Sequence, residues 1–310
     1  MPVKYIINGY FRSGTTMLYD AVRKAVGEDG FSFYEPCYPK LGLVIRDEQS
    51  HKAINPLHGK KVWHEYLRLD ENELKDILRN HPNTRGEGIA NDRDFMAYIN
   101  QYNALPNAVF LQTNRYHFFL DIFFKEYNAQ VVHVVRNPIH VFESIYNSYF
   151  QSVSPLKKIV RKLTQRYTMK NYFGVQNEFN WILQHTGFPF VMYNNWRLRY
   201  FKKPDYFSQF VVVWIVSNYY ALKSIHNHAG RLVIYERLLV QPDKEFKDLS
   251  EYLGLEVEAP EIKLGKHLVS GAMISKFKGV VKDFGLQQQW GFISQELDKH
   301  GINYLQSMEL

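Results

Sequence analysis

Cysteine is nearly absent from this chain of 310 residues, in which Cys37 is the one thiol. A single cysteine cannot form an internal disulfide, and it is typical of proteins kept in a reducing compartment. Long apolar runs are missing too, since no stretch approaches the ~18–20 residues that a membrane-spanning helix needs. A strand-like stretch begins at about the fourth residue, so we expect no amino-terminal signal or anchor. Together these absences predict a cytoplasmic protein without a transmembrane segment.

Acidic residues are fewer than basic ones, with 31 Asp and Glu against 38 Lys and Arg and a net charge of +7. This excess of positive charge indicates an anionic partner, such as a phosphorylated nucleotide, an acidic glycan, nucleic acid or a membrane surface. Aromatic residues make up 16% of the chain, which suits stacking on a base or on sugar rings. A chain of this length and 45% hydrophobic content can bury one large core, in one domain or two.

The stretch KYIINGYFRSGTTMLYDAV (4–22) predicts a strand, a loop bounded by glycines and then a helix. That order is the plan of a phosphate-binding loop, in which backbone N–H groups and a helix N-terminus face an anion. The common nucleoside triphosphate version is G-x-x-x-x-G-K-[ST]. Gly9 and Gly14 have its spacing, but Thr15 stands where the lysine belongs. The missing lysine argues against an ordinary ATPase, kinase or GTPase.

A cation instead lies inside the loop, at Arg12, and Ser13, Gly14, Thr15 and Thr16 follow it. This R-S-G-T-T sequence resembles the 5′-phosphosulfate loop of the sulfotransferases, which move a sulfuryl group from 3′-phosphoadenosine 5′-phosphosulfate (PAPS) to an acceptor hydroxyl or amine. The resemblance implies that Thr15 and Thr16 hold the 5′-phosphate and that Arg12 stabilises charge on the leaving phosphate. Ser13 and Gly14 would supply loop geometry and backbone donors. A tight turn without a ligand is the alternative for this loop taken alone.

A second motif is QVVHVVRNPIHVFESIYNSYF (130–150). The apolar run that ends at Val135 is typical of a parallel strand buried on both faces, and the Asn-Pro pair after it predicts the start of a helix. Arg136 then lies at the carboxyl end of the strand, with Ser144 eight residues later. This spacing resembles the 3′-phosphate motif of sulfotransferases. A guanidinium can bond a phosphate bidentately, and a hydroxyl adds one donor.

The segment FSFYEP (31–36) predicts a strand with Glu35 at its carboxyl end, adjacent to the phosphate loop. Carboxylates at such a strand end lie in the crevice where open α/β sheets bind ligands. Attack by a hydroxyl needs a base within hydrogen-bond reach of its proton. The segment resembles F-x-x-EP of carbohydrate sulfotransferases, and its placement is similar to that of the catalytic glutamate of tyrosylprotein sulfotransferases. The resemblance implies that Glu35 is the catalytic base, with a surface glutamate before a proline turn as the alternative.

Gln112, Thr113 and Asn114 stand where cytosolic sulfotransferases carry K-T-H with its catalytic histidine. The departure removes that base and favours Glu35. We predict a helix over residues 114–127, which places His117 on another part of the helix as an alternative base.

The sequence does not decide what several basic segments bind. Cations between 157 and 170 alternate with apolar residues on a predicted helix, for which an anionic acceptor, peripheral contact with a membrane surface and a solvated face are the alternatives. The stretch 194–203 mixes cations with aromatics, but no recognisable nucleic-acid module surrounds it, so no nucleic-acid partner is predicted. The residues around Lys276 and Lys278 resemble in part the R-K-G-x-x-G segment with which many cytosolic sulfotransferases close over the nucleotide. The resemblance implies that one of these lysines reaches the 3′-phosphate, and basic loop residues without a role are the alternative. No metal is predicted, because no His, Cys or Glu cluster has the spacing of a metal site.

The fold predicted is a single α/β domain over residues 1–310, a P-loop-containing, sulfotransferase-like parallel sheet of about four or five strands flanked by helices. The predicted function is that of an enzyme, a sulfotransferase with PAPS as its donor. Residues 193–197 offer the polar and aromatic groups that sugars need, so the predicted acceptor is a hydroxyl of a glycan or glycoconjugate. A small alcohol, a phenol or tyrosine are the alternative acceptors. A nucleotide kinase or NTPase and a non-catalytic nucleotide-binding protein are the alternative functions.

Overall fold

The computed structural model describes residues 2–49, 62–82, 92–151, 174–185, 205–261 and 271–304. The chain separates into two compact units. The first contains Met1–Arg85, Ile89–Val135 and Lys223–Ile262, and the second contains Gly86–Gly88, Arg136–Leu222 and Lys263–Leu310. The prediction of a single domain over 1–310 stays a prediction.

Strands and helices alternate along most of the first unit. The strands are β1 (Val3–Gly9), β2 (Phe31–Tyr34), β3 (Val109–Thr113), β4 (Gln130–Val135) and β5 (Arg231–Ile234). The helices of the whole chain, in order, are α1 (Thr15–Val26), α2 (Leu41–Gln49), α3 (Glu71–Asn80), α4 (Asp92–Asn103), α5 (Leu120–Tyr127), α6 (Pro138–Gln151), α7 (Val175–His185), α8 (Tyr206–Asn227), α9 (Tyr235–Val240), α10 (Pro242–Leu253), α11 (Gly271–Asp283) and α12 (Gln287–Asp298), with a 3₁₀ helix at His64–Arg68.

The five strands form one parallel sheet in the order β2-β3-β1-β4-β5. β1 lies at its centre, and β1, β3 and β4 are buried along almost their whole length, as their apolar runs predict. The predicted parallel sheet flanked by helices is confirmed. β2 does not pair with β1, because β3 pairs with both and lies between them, but the end of β2 still contacts the phosphate loop through Tyr34 and Thr16.

The helix predicted over residues 114–127 begins only at Leu120, and the preceding residues form a turn. Two side chains hold this turn. Thr113 Oγ1 accepts the backbone N–H of Arg115 at 3.1 Å, and Asn8 Oδ1 accepts that of Tyr116 at 3.2 Å. These two bonds hold residues 115 and 116 in the turn; the same N–H groups would lack an intrahelical partner in a helix that began at residue 114. Residues 114–117 therefore stay at the carboxyl end of β3.

Buried tyrosines support the end of β2. The hydroxyls of Tyr98 and Tyr102 lie 2.6 Å apart, Tyr66 lies 3.4 Å from Tyr102, and Tyr98 donates to the carbonyl of Pro36 at 2.6 Å. All three rings are fully buried, and a buried phenol needs such a partner for its hydroxyl. This packing fixes the backbone next to Glu35.

The second unit is helical in its described part. Asn137 Oδ1 accepts the N–H of Ile139 at 2.9 Å and so caps α6. Lys276 belongs to α11 rather than to a loop: its ammonium lies 2.8 Å from Asp205 Oδ2 and over the ring of Phe207 at 4.7 Å. The basic stretches 157–170 and 194–203, with the proposed sugar-contacting residues 193–197, lie outside the described residues. None of the described helices is both long and apolar enough to span a membrane.

Candidate active site

The phosphate loop (residues 10–16) joins β1 to α1 in a tight turn. The backbone N–H and the hydroxyl of Ser13 both donate to the carbonyl of Tyr10, at 3.1 and 2.5 Å. The backbone is left-handed at Arg12 (φ 65°) and at Gly14 (φ 97°). α1 then begins with no side-chain cap and with no acidic residue in its first turn. The start of this helix carries partial positive charge from the helix dipole, which fits a bound phosphate or phosphosulfate.

Gly14 is in direct contact with an aromatic ring. A Cβ at this position would lie 2.6 Å from Cε2 of Tyr235 and still closer to Cδ2. Tyr235 begins α9, directly after β5, so the ring reaches the start of α1 from another strand end. Close packing of ring on backbone, together with φ of 97°, explains why glycine stands here.

Glu35 follows β2 and is buried, with 9% of its surface exposed. Its carboxylate is held from both sides by residues that follow β3. Asn114 Nδ2 donates to Oε1 at 2.5 Å, and Arg115 Nη1 donates to Oε2 at 3.2 Å. The backbone of Glu35 has φ of 41°, and two of the four described non-glycine residues with positive φ, Arg12 and Glu35, are predicted site residues. Such strained conformations concentrate at functional sites.

Burial dominates the electrostatics of Glu35 and raises its pKa, while the charge and hydrogen bond of Arg115 and the hydrogen bond from Asn114 lower it. The net shift is upward from the ordinary value of 4.5. A carboxylate of raised pKa is a better proton acceptor than a solvated one when ionised, which suits a general base. Tyr34 and Tyr38 lie near Glu35. Burial raises the pKa of each phenol, and the negative charge of Glu35 raises it further.

Both loop threonines contact the surroundings of Glu35. Thr15 Oγ1 donates to Asn114 Oδ1 at 2.9 Å, and Thr16 Oγ1 lies 2.9 Å from the hydroxyl of Tyr34. Asn114 thus touches the phosphate loop and Glu35 at once. The structure brings the predicted residues Thr15, Thr16 and Glu35 into one site of the first unit.

His117 is buried in the turn after β3 rather than on a helix. Its Nδ1 lies 3.1 Å from Asn8 Nδ2, which also lies 3.0 Å from Nδ1 of His133. Burial, with a smaller effect of His133, lowers the pKa of His117 to about 3. A buried, neutral imidazole whose Nδ1 faces an amide is poorly placed to take a proton from an acceptor.

Arg136 and Ser144 belong to the second unit. Arg136 directly follows β4, as predicted, and is 9% exposed, while Ser144 lies on α6 eight residues later. Glu143 lies beside Ser144 on α6, and burial raises its pKa while His140 and Arg136 lower it. The binding of a 3′-phosphate by Arg136 and Ser144 stays a prediction.

Sequence reasoning missed Asn114, Arg115 and Tyr235 as site residues. The guanidinium of Arg115 lies 4.7 Å from the ring centroid of Phe11 as well as beside Glu35, so it contacts the loop and the carboxylate. The available signal was a polar run, Q-T-N-R, directly after a buried parallel strand. Among the described residues, no three His, Cys, Asp or Glu side chains come together as a potential metal site.

Comparison with known proteins places this sequence in a family. The sulfotransferase domain family model matches residues 2–299. An uncharacterized protein of Archaeoglobus fulgidus is 27% identical over 321 residues, which cover 93% of this chain and 99% of that protein.

Solved structures with distant similarity include two sulfotransferases. The sulfotransferase domain from the curacin biosynthetic pathway is 15% identical, with a TM-score of 0.41, over 83% of this chain and 76% of that one. A sulfotransferase from Alicyclobacillus acidocaldarius is 12% identical, with a TM-score of 0.39, over 92% of this chain and 94% of that one. These likenesses are too distant to carry an argument, so the assignment depends on the family match. The chain belongs to the sulfotransferase domain family and is an enzyme of that class.

Proposed function

We propose that the enzyme takes its sulfuryl group from PAPS and passes it to an acceptor hydroxyl, with Glu35 as the general base. The observation that carries this proposal is the buried carboxylate of Glu35, held by Asn114 and Arg115 at the edge of the sheet where β1 runs into the phosphate loop. The family implies PAPS as donor, and the uncapped start of α1 fits its anionic phosphosulfate.

The protein's own residues need to supply proton transfer and charge stabilisation. Bound PAPS supplies an activated sulfuryl group on a good leaving phosphate. Glu35 accepts the proton of the acceptor hydroxyl while that oxygen bonds to sulfur and the sulfur–oxygen bond to the phosphate breaks. Arg12 and the N–H groups at the start of α1 stabilise the negative charge that the leaving adenosine 3′,5′-bisphosphate gains.

The other nucleotide contacts follow from the same proposal. Thr15 and Thr16 hold the 5′-phosphate, while Ser13 and Gly14 shape the loop and supply backbone donors. Arg136 and Ser144 bind the 3′-phosphate through charge-assisted hydrogen bonds. The absence of a metal ion from the reaction stays a prediction, as does the cytoplasmic location.

A thermal-shift comparison of adenosine 3′,5′-bisphosphate, ATP and AMP tests the donor. We expect the bisphosphate to raise the melting temperature most, because it alone of the three presents a 3′-phosphate. A larger shift with ATP would favour a nucleotide kinase or NTPase. Stabilisation by the bisphosphate without any transfer to an acceptor would favour a non-catalytic nucleotide-binding protein.

For the acceptor we propose a hydroxyl of a glycan or glycoconjugate. The support is the glutamate-base arrangement, which resembles the carbohydrate and tyrosylprotein branches. In addition, the rings of Phe119 and Phe123 lie with their centroids 4.6 and 5.6 Å from that of Phe95 and are buried in the core, which favours a sugar over a small phenol as acceptor. A competition assay with labelled PAPS tests the acceptor class by comparing oligosaccharides, simple phenols and tyrosine peptides. Efficient transfer to phenols with none to any sugar would contradict the proposal.

A further inference from the structure

Asn114 makes contacts with three different elements of the first unit. Its Oδ1 accepts hydrogen bonds from Thr15 Oγ1 at 2.9 Å and from Gln112 Nε2 at 3.2 Å. Its Nδ2 donates to Glu35 Oε1 at 2.5 Å. The side chain is 4% exposed, so these bonds form away from bulk water and are correspondingly strong.

The chemistry of these partners fixes which way the amide faces. Glu35 offers only acceptor oxygens when ionised, and Gln112 Nε2 offers only hydrogens. Turning the amide of Asn114 over would set its oxygen against the carboxylate and its NH₂ against the NH₂ of Gln112. Both contacts would then be lost, so the observed orientation is the one that satisfies the site.

Thr15 adds a constraint from the phosphate loop. A threonine hydroxyl carries one hydrogen, and here that hydrogen goes to Asn114 Oδ1. The hydroxyl therefore cannot donate to a bound phosphate while it holds Asn114. The backbone N–H of Thr15, at the start of α1, remains the group by which this residue serves the 5′-phosphate.

We propose that Asn114 is a positioning residue that joins the phosphate loop to Glu35, and that the hydroxyl of Thr15 serves this link rather than the nucleotide. This inference depends on the proposed role of Glu35 as base. Asn114 orients Oε1 of the carboxylate and stabilises its ionised form. The Thr15–Asn114 hydrogen bond fixes that orientation relative to the first residue of α1. The base and the loop are thus held in one geometry across two strand ends.

The groups that face Glu35 determine how its titration can be read. Arg115 is the one charged side chain that contacts it among the described residues, and Tyr34, Tyr38 and Cys37 are the other titratable neighbours. Burial raises the pKa of each of these three, so they stay neutral over the range in which Glu35 titrates. A change in that titration on altering Asn114 therefore reports the lost amide contact.

The test combines Asn114→Ala and Thr15→Val with the exposed control Asn80→Ala. Carbon-13 NMR of the glutamate carboxylates, with Glu35 assigned by its absence in Glu35→Gln, follows the base whether or not the enzyme turns over. Steady-state kinetics over pH and calorimetric binding of adenosine 3′,5′-bisphosphate complete the set. Asn114→Asp serves as a second variant of the same shape if Asn114→Ala does not fold.

In Asn114→Ala we expect the pKa of Glu35 to rise by about one unit, because a hydrogen bond to the charged form is lost. The acid limb of kcat should move up by the same amount, and kcat should fall by about tenfold or more. Bisphosphate affinity should stay within about threefold, because Asn114 is not proposed to contact the nucleotide. Thr15→Val should raise the pKa of Glu35 by less than Asn114→Ala does. Asn114→Asp should raise it by more, since a second carboxylate then faces the first.

An unchanged pKa of Glu35 in folded Asn114→Ala overturns the inference. The inference is also overturned if Thr15→Val weakens bisphosphate binding more than tenfold and leaves the pKa of Glu35 unchanged. Failure of the proposed function gives a different result. In that case wild-type enzyme transfers nothing from PAPS, or Glu35→Gln keeps full turnover, while the NMR titration still decides whether Asn114 governs Glu35.

Discussion

Replacing Gly14 by alanine tests whether the contact between the phosphate loop and Tyr235 is as close as the structure has it. Two costs add. An L-residue in the left-handed region, here at φ of 97°, costs about 1–2 kcal/mol. The new methyl group also overlaps the ring of Tyr235, with Cε2 only 2.6 Å away, and overpacking of this kind costs about 1–3 kcal/mol. Gly14→Ala should therefore lower the free energy of unfolding by about 2–5 kcal/mol.

A matched control separates the two costs. Gly254 also has a left-handed backbone, at φ of 61°, but an added Cβ there meets nothing within 4 Å. Gly254→Ala should lose only the backbone share of about 1–2 kcal/mol. Adding Tyr235→Ala to Gly14→Ala removes the overlap, so the Gly14 substitution should cost less in that background than in the wild type.

The assays are urea unfolding at constant slope and calorimetric binding of adenosine 3′,5′-bisphosphate. Gly14→Ala should also weaken the nucleotide, because the loop must shift to clear the ring, whereas Gly254→Ala should leave binding unchanged. Equal losses of stability in the two glycine variants, with nucleotide binding intact in both, would show that Tyr235 does not pack closely on Gly14.

Three further predictions concern other parts of the chain. Arg136→Ala should weaken adenosine 3′,5′-bisphosphate by about 2–4 kcal/mol in calorimetry and leave AMP almost unchanged, and equal losses for both nucleotides would argue against a 3′-phosphate contact. The acid limb of kcat/KM should lie above the ordinary carboxylate value of 4.5, because burial raises the pKa of Glu35 and the base must be ionised to act; a limb at or below 4.5 would contradict this. Asp70→Ala should lower the free energy of unfolding by about 1 kcal/mol in urea titration, because it removes the capping box that Asp70 forms with Glu73 at the start of α3, and a neutral result would mean that the cap contributes nothing.

Sequence patterns predicted β1, β2 and β4 because their signals are local. The apolar run before Arg136 and the glycine-bounded loop after β1 each act over fewer than about ten residues, where strand and turn propensities are decisive. The helix predicted from residue 114 failed for a non-local reason. Asn8, on a different strand, accepts the backbone N–H of Tyr116 and holds the chain in a turn before α5 begins.

The surroundings of Glu35 could not be predicted for the same reason. Its contacts with Asn114 and Arg115 join residues 79 and 80 positions apart, and they depend on β3 lying between β2 and β1. In the sequence, Asn114 was visible only as the residue that replaces a histidine. Its use as a hydrogen-bond link follows from strand order, which a single sequence does not specify.

Single-turnover transfer from PAPS by Glu35→Gln tests whether Glu35 is the base of sulfuryl transfer. If Glu35 is the base, the variant keeps its affinity for adenosine 3′,5′-bisphosphate and loses at least ~10²-fold in the rate of transfer. His117→Ala, measured alongside it, should keep far more of the rate, because His117 is buried and its Nδ1 faces Asn8. Undiminished transfer by Glu35→Gln, with transfer lost in a folded His117→Ala, would show that His117 rather than Glu35 is the base.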